Sequence, residues 1–173
     1  MTTEDWAAFN TAQIVALGTQ QIPFIQNTGL AALGTHQIAA FEAQDVARFT
    51  ATQLPALSTL ALKTLDGAQV GALTSTQVAA LSTAQLRAID AADMASLATA
   101  SVKSLTATQV AALGTAQIDA LESNQIAVLS NAAVQALSTA QLGALSTVDI
   151  AAMSSAQIGA LSTGCLLYTS RCV

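Results

Sequence analysis

Residues 1–164 contain no cysteine and no tyrosine, because both cysteines and the single tyrosine lie in the last nine residues. Aromatic residues make up only 3% of the 173 residues and charged residues only 9%, whereas about 25% is usual for charged residues in soluble domains. Acidic residues outnumber basic ones ten to five, which argues against binding to nucleic acid or to an anionic membrane surface. No apolar run approaches the roughly 20 residues that span a bilayer, so we expect no membrane insertion. The acidic start, Met1 to Trp6, does not resemble a secretory signal peptide.

What the chain has instead is an eight-residue unit, seen clearly in Leu137–Ala144, that recurs without insertion or deletion. Large apolar residues occupy position one of the unit from Phe9 to Leu161, and position six from Trp6 to Ile158. A short fixed period of this kind indicates a repeat array, in which each unit contacts mainly other units and the length is free to vary.

Positions two and five of the unit predict where helices begin. Position two is Ser, Thr, Asp, Asn or Gly in sixteen of the twenty units from Asn10 to Ser162, and position five is most often Gln. Ser or Thr followed three residues later by Gln is the capping-box pattern of a helix N-terminus. One continuous helix fits poorly, because a step of eight residues rotates the apolar positions by about 80° per unit, so that no apolar stripe forms.

The sequence therefore predicts an all-α fold, a solenoid or superhelix of about twenty short helices with one helix per repeat. Such helices are too short to be stable alone, so burial of positions one and six must hold the array together, at about 1.5–3 kcal/mol per large side chain. Pro23 and Pro55 stand at position seven and predict distorted or shortened helices in their units. The alternative is a β-solenoid, which is disfavoured because the odd interval between the apolar positions would point them to opposite faces of a strand.

We expect residues 1–164 to form the array, with an irregular N-terminal capping part at 1–57 and regular repeats at 58–164. No closing cap precedes Gly164, which predicts that the array is truncated. Residues 165–173 leave the repeat, and their codons can be written as an inverted junction of the transposon end used in sequencing libraries. We interpret this tail as an adapter artefact on a metagenomic fragment; the alternative is a natural tail with a Cys165–Cys172 pair. The two cysteines therefore indicate no redox compartment.

Few residues in the array are candidates for chemistry. His36 has no second histidine or cysteine in the array to complete a metal or catalytic site, so we interpret it as a solvated helix residue. Eight carboxylates stand at positions two and five, where they favour the positive end of a helix. They are Glu42, Asp66, Asp90 and Glu122 at position two, and Asp5, Asp45, Asp93 and Asp149 at position five. We predict no catalytic, cofactor-binding or metal-binding residue, no cofactor, no small-molecule substrate and no enzymatic activity.

Threonines at the start of each unit form the one recurring surface chemistry. They are Thr11, Thr19, Thr35, Thr59, Thr83, Thr99, Thr115, Thr139, Thr147 and Thr163. Regular threonine ladders are typical of ice-binding solenoids, and rows of hydroxyls could also carry glycans. Helix capping explains position two, and position three in part, without either role.

The unit resembles the Ala/Ser/Thr/Gln octapeptide arrays of very large, adhesin-like bacterial secreted or surface proteins. The resemblance covers residues 1–164 and rests on composition and period. It implies a structural role, as a spacer, a stalk or an interaction scaffold of a larger bacterial protein, with another protein or a surface glycan as partner. The alternative is a binding module that uses either a concave solenoid face or an ice-binding ladder. Export would need a signal outside these residues, and without one the protein would be cytoplasmic.

Overall fold

The computed structural model describes residues 1–161, in which twenty short helical segments follow one another, one in each eight-residue unit. No strand occurs in this part of the chain, so the all-α prediction is confirmed and the β-solenoid alternative is wrong. No helix among these residues is long and apolar enough to cross a membrane. The predicted adapter-derived tail, 165–173, lies outside the described residues.

Eighteen of the segments are α-helices, and their bounds follow the repeat. They are α1 (Thr3–Ala7), α2 (Thr11–Val15), α3 (Asn27–Ala32), α4 (Thr35–Ala39), α5 (Ala43–Val46), α6 (Thr59–Lys63), α7 (Gly67–Gly71), α8 (Ser75–Ala80), α9 (Thr83–Ala88), α10 (Ala91–Met94), α11 (Thr99–Lys103), α12 (Ala107–Ala112), α13 (Thr115–Asp119), α14 (Ser123–Ala127), α15 (Asn131–Gln135), α16 (Thr139–Ala144), α17 (Thr147–Ala152) and α18 (Ser155–Ala160).

The other two segments are 3-10 helices, Ile22–Phe24 and Leu54–Ala56, and each contains one of the two prolines. Proline has no backbone N–H to donate and disrupts an α-helix at an interior position. The prediction that the units of Pro23 and Pro55 have distorted or shortened helices is therefore confirmed.

Two extended residues separate a six-residue helix from the next helix, whereas a shorter helix first ends in a residue such as Ala8, which keeps the αR conformation. In the unit of α16, Ser138 at position two is the extended N-cap, with φ −72° and ψ 162°, and Leu145 after the helix is extended, with φ −71° and ψ 136°. No residue in the described part of the chain has a positive φ. Each corner is therefore made by ordinary extended backbone, followed by a capping residue that starts the next helix.

Each helix stacks on the third helix along the chain rather than on its immediate neighbour. Three units, or 24 residues, therefore form one coil with three sides, which we call sides A, B and C in chain order. Side A contains α1, α3, Leu54–Ala56, α8, α11, α14 and α17. Side B contains α2, α4, α6, α9, α12, α15 and α18. Side C contains α5, α7, α10, α13 and α16, and Ile22–Phe24 precedes them by the same spacing.

The core runs along the inside of these coils and consists of positions one and six. Position-six residues such as Ile38, Val78 and Ile118 are completely buried, and position-one residues such as Leu113 are about as well covered. Position four is exposed in the described units from α2 onwards, and position seven is exposed or half-buried. The predicted assignment of positions one and six to the core is therefore confirmed.

Candidate functional site

The glutamine at position five makes the most distinctive contact of the fold. Gln109 Oε1 accepts a hydrogen bond from the Thr106 backbone amide at 2.9 Å, while Thr106 Oγ1 accepts from the Gln109 amide at 3.2 Å, which completes the predicted capping box. The Nε2 atom of Gln109 also donates to the carbonyl oxygens of Val78, at 3.1 Å, and Leu81, at 2.8 Å. These carbonyls lie at the end of α8, one coil earlier. Gln109, only 4% exposed, thus joins the start of one helix to the end of another.

The same bridge recurs along the array at every corner where a buried glutamine has a coil before it. The glutamines whose Nε2 binds two carbonyls of the preceding coil are Gln37, Gln53, Gln69, Gln77, Gln85, Gln109, Gln117, Gln125, Gln141 and Gln157. Each bridge adds hydrogen bonds to carbonyls at a helix end, where the regular bonds of the α-helix run out. The repeated glutamine is therefore a lock between coils as well as a helix cap.

Gly29 and Ser101 are two of the residues that replace glutamine at position five, and both face the neighbouring coil. At Gly29, a Cβ atom would lie 2.5 Å from Nε1 of Trp6, so only glycine leaves room for the indole ring. At Ser101, the hydroxyl donates to the Leu73 carbonyl at 2.7 Å and keeps one of the two contacts of a glutamine. These exceptions follow from local packing and indicate no ligand.

Aspartates at position five cannot donate to the preceding coil, and their surroundings differ. Burial disfavours the charged form of Asp149, but hydrogen bonds from Ser123 and Ser146 outweigh burial and lower the pKa of Asp149. Asp45 is only 2% exposed, and its Oδ1 has no hydrogen-bond partner. Burial raises the pKa of Asp45, against the hydrogen bond from the Glu42 amide, and the charge of Glu42 adds to the rise. Asp45 therefore destabilises its corner relative to a corner at which a glutamine joins the two coils.

The carboxylates that stand at position two are all N-cap residues, as the sequence predicts, but only one of them caps through its side chain. Asp66 accepts from the Gln69 backbone amide at 2.8 Å. Glu42, Asp90 and Glu122 make no side-chain cap hydrogen bond. Their charges still favour the helix N-terminus, and they remain exposed to solvent.

His36 lies on the exposed surface of α4, where position four points outward. In the part of the chain that the structure describes, no three His, Cys, Asp or Glu residues form a cluster that could hold a metal ion. That the protein lacks catalytic, cofactor and metal sites stays a prediction.

The threonine row of the sequence is divided among the three sides of the array. On side B, four of them begin the helices of successive coils, Thr11 in α2, Thr35 in α4, Thr59 in α6 and Thr83 in α9. The other described members that begin helices lie on side A (Thr99 and Thr147) and on side C (Thr115 and Thr139), and Thr163 lies outside the described residues. Side A also carries two hydroxyl pairs one coil apart, with Oγ1–Oγ1 distances of 3.0 Å for Thr50 and Thr52 and 3.1 Å for Thr74 and Thr76. The threonines of the sequence therefore do not form one ladder along the whole array: four of them form a column on side B, and the other described members are divided between the other two sides.

An apolar depression of about 290 Å³ lies at the first coil. Trp6 and Ile25 form its buried wall, and Phe24, which is 84% exposed, stands at its rim. Trp6 packs against Phe9 with a centroid distance of 5.1 Å. Bulky side chains are thus concentrated in the first coil, as the irregular composition of 1–57 predicts, although that domain boundary stays a prediction.

The stacking of every third helix and the second role of glutamine were not inferred from the sequence. One signal for the second role is present: position five holds Gln twelve times between residues 9 and 164 and never Glu. A capping box accepts either residue. Only Gln has an amide group that can donate, so the exclusion of Glu points to an acceptor beyond the helix itself.

Comparison with known proteins identifies the repeat. The sequence model of the ALTTAQ repeat matches residues 46–83, 86–123, 118–153 and 134–164, which together cover well over half of the chain. The six letters agree with Ala136–Gln141 at all positions but the third, where this chain has Ser138. No curated protein matches the chain. The chain belongs to the ALTTAQ repeat family.

Proposed function

We propose that this array is a non-enzymatic structural region, a spacer or an interaction scaffold within a larger bacterial secreted or surface protein. The observation that carries the proposal is the glutamine lock, which recurs with the same two acceptors on successive coils. Because each coil is joined to the next in the same way, the array can be lengthened by adding units without a new kind of contact. The bacterial context rests on the resemblance to adhesin-like octapeptide arrays.

The dimensions of the coil define what kind of spacer this would be. Packed helices lie about 8–10 Å apart, so each coil of three units adds about that length to the array. A single α-helix with as many residues as one coil would span about 36 Å. The array is therefore a thick, stiff spacer with a large surface rather than an economical way to reach a distance.

Deleting whole coils tests the spacer. Removal of residues 81–104 takes out one coil and joins Ala80 to Leu105 in phase, and small-angle scattering should show a maximum dimension about 8–10 Å shorter. Removal of 57–80 is the matched control and should shorten the array equally. In a full-length protein, reach should fall by the same step for either deletion. Loss of all function on deletion of one particular coil would contradict the spacer and favour a dedicated binding module.

The second candidate is a binding module, for which the paired hydroxyls on side A give one specific reason. Because positions one and six fill the interior of the coils, a partner would have to use the outer sides. Thr52→Val and Thr76→Val together remove one hydroxyl from each pair, with Thr108→Val on side B as the control. If the hydroxyls bind ice, the unsubstituted protein should show thermal hysteresis that the double variant loses. Absence of hysteresis in the unsubstituted protein would remove ice binding from consideration.

A further inference from the structure

Charged residues are unevenly distributed around the array and concentrate on the edge where side B meets side C. Lys63 and Arg87 stand at position seven of α6 and α9 on side B. Glu42, Asp66 and Asp90 are the N-caps of α5, α7 and α10 on side C, and all five residues are exposed. We call these five residues the charged edge. It occupies three successive coils of a chain that has only 9% charged residues.

The charged edge ends abruptly in both directions along the array. In the coil before Glu42, the corresponding positions are Val15 and Gly18. In the coil after Asp90, they are Ala111 and Gly114. The charges are therefore not a general feature of the repeat, in which the same positions need only an exposed residue and a cap.

The cations of this edge are free to pair with another molecule. Within residues 1–161, neither Lys63 nor Arg87 forms an ion pair within 4 Å or a side-chain hydrogen bond. Asp90 makes no side-chain cap hydrogen bond, and Asp66 uses its carboxylate for only one, from the Gln69 amide. Burial, followed by the negative charges of Asp90 and Asp66, raises the pKa of nearby Asp93.

The charges form two parallel rows that run along the array. Lys63 precedes Asp66 by three residues across the corner, and Arg87 precedes Asp90 in the same way one coil later. The cationic row lies on the side-B flank of the corner and the anionic row on the side-C flank. Along each row the step is one coil, or about 8–10 Å.

This arrangement is complementary to itself in only one orientation. If two copies face each other across this edge in parallel, a two-fold axis along the array places the cationic row of each against the anionic row of the other, at equal height. If the copies are antiparallel, a two-fold axis across the edge places like rows against each other. We propose that a second copy of this chain docks edge to edge in parallel, with Lys63 and Arg87 opposite Asp66 and Asp90 of the second copy.

The residues between the two rows are small enough for a second copy to approach the edge closely. Thr64 and Ala88, which lie just before the corner in the two coils, are small and half-buried.

The contact is isologous, so it closes as a dimer rather than growing into a filament. It rests on exposed charges and a narrow edge, so it is weak and is screened by salt. The dimer does not depend on whether the array acts as a spacer.

Sedimentation of the full chain at low and high salt tests the proposal, with reductant present because Cys165 or Cys172 could link two chains. We expect the average mass to approach that of a dimer at about 20 mM salt and to return to that of a monomer at about 500 mM, where the screening length falls severalfold. A chain that remains monomeric at low salt and millimolar concentration would overturn the proposal.

Charge reversal then identifies the surface. Lys63→Asp with Arg87→Asp makes the edge wholly acidic, and Asp66→Asn with Asp90→Lys makes its charge positive while Asn keeps the cap of α7. Each double variant alone should be monomeric, and an equal mixture should form a heterodimer at low salt. The controls are Lys103→Asp and Glu122→Lys, exposed residues in equivalent positions on other corners, which should leave dimerisation unchanged. Dimers that persist in both double variants would overturn the proposed surface.

Energy transfer between dyes on the two copies measures whether the dimer is parallel or antiparallel. Dyes attached through Ala156→Cys, in a chain with Cys165 and Cys172 replaced by Ser, should show efficient energy transfer between the two copies of a parallel dimer. A pair with one dye at Ala12→Cys and the other at Ala156→Cys should show little transfer, because these positions lie at opposite ends of the array. The reverse result would establish an antiparallel dimer and overturn the proposal. Circular dichroism checks that each variant is folded.

Discussion

The glutamine lock makes a quantitative prediction for Gln109→Glu. The substitution changes little in shape but replaces the Nε2 donor with an oxygen, which then faces the carbonyl oxygens of Val78 and Leu81, now 3.1 and 2.8 Å from Nε2. The capping bond from the Thr106 amide is retained, because either side chain can accept it. The variant therefore tests the contact between coils separately from the helix cap.

Two effects set the size of the loss. The two missing hydrogen bonds account for about 0.5–1.5 kcal/mol each. At neutral pH, the charge of a buried carboxylate that has no cation beside it also raises the cost, to about 3–5 kcal/mol in total. Protonation gives the new glutamate one O–H donor, so its folded-state pKa should be raised and its destabilising effect should shrink as the pH falls through that pKa.

Urea unfolding at pH 7 and pH 4 measures both effects, with Gln135→Glu as the matched control. Gln135 lies at exposed position seven of α15, so the same chemical change there should alter stability by less than about 0.5 kcal/mol. Because an array can open locally, hydrogen exchange in α8 and α12 should be followed alongside the global transition. If the two variants have equal unfolding midpoints at pH 7, the lock does not stabilise the coil as we argue.

Three further predictions concern other buried groups. Asp45→Gln should replace the carboxylate oxygen that has no hydrogen-bond partner, Oδ1, with an amide donor and stabilise the protein by about 1–3 kcal/mol at pH 7. In the unsubstituted protein, the stability associated with the raised pKa of Asp45 is present at low pH and is lost as the pH rises through its folded-state value. Asp149, whose pKa is lowered, contributes stability that is lost as the pH falls through its folded-state pKa, and Ser123→Ala should weaken this contribution. NMR titration of Asp45 and Asp149 checks that the first pKa is raised and the second lowered. Leu113→Asp places a charge in the core and should cost several kcal/mol, whereas Ala111→Asp on the surface should be nearly silent; equal melting temperatures would refute the assignment of faces.

The sequence by itself determined the local structure. A capping residue and a glutamine three positions later place a helix start in most units, whatever the neighbouring units do. The interval between positions one and six decides which side chains are buried, and Pro23 and Pro55 show where an α-helix cannot be completed. Helix capping and the spacing of apolar side chains are properties of a few adjacent residues, so they can be derived from one unit.

Only the tertiary structure decided which units meet. The number of helices in a coil depends on the angle turned at each corner, and small changes in the backbone angles of two extended residues would alter it without changing the repeat. Once three helices close a coil, Gln109 meets Val78 and Leu81, and Gly29 faces Trp6. The same closure brings Lys63 and Arg87, which are 24 residues apart, into one row. These pairings arise from the path of the chain in space, and the interval of eight residues alone does not specify them.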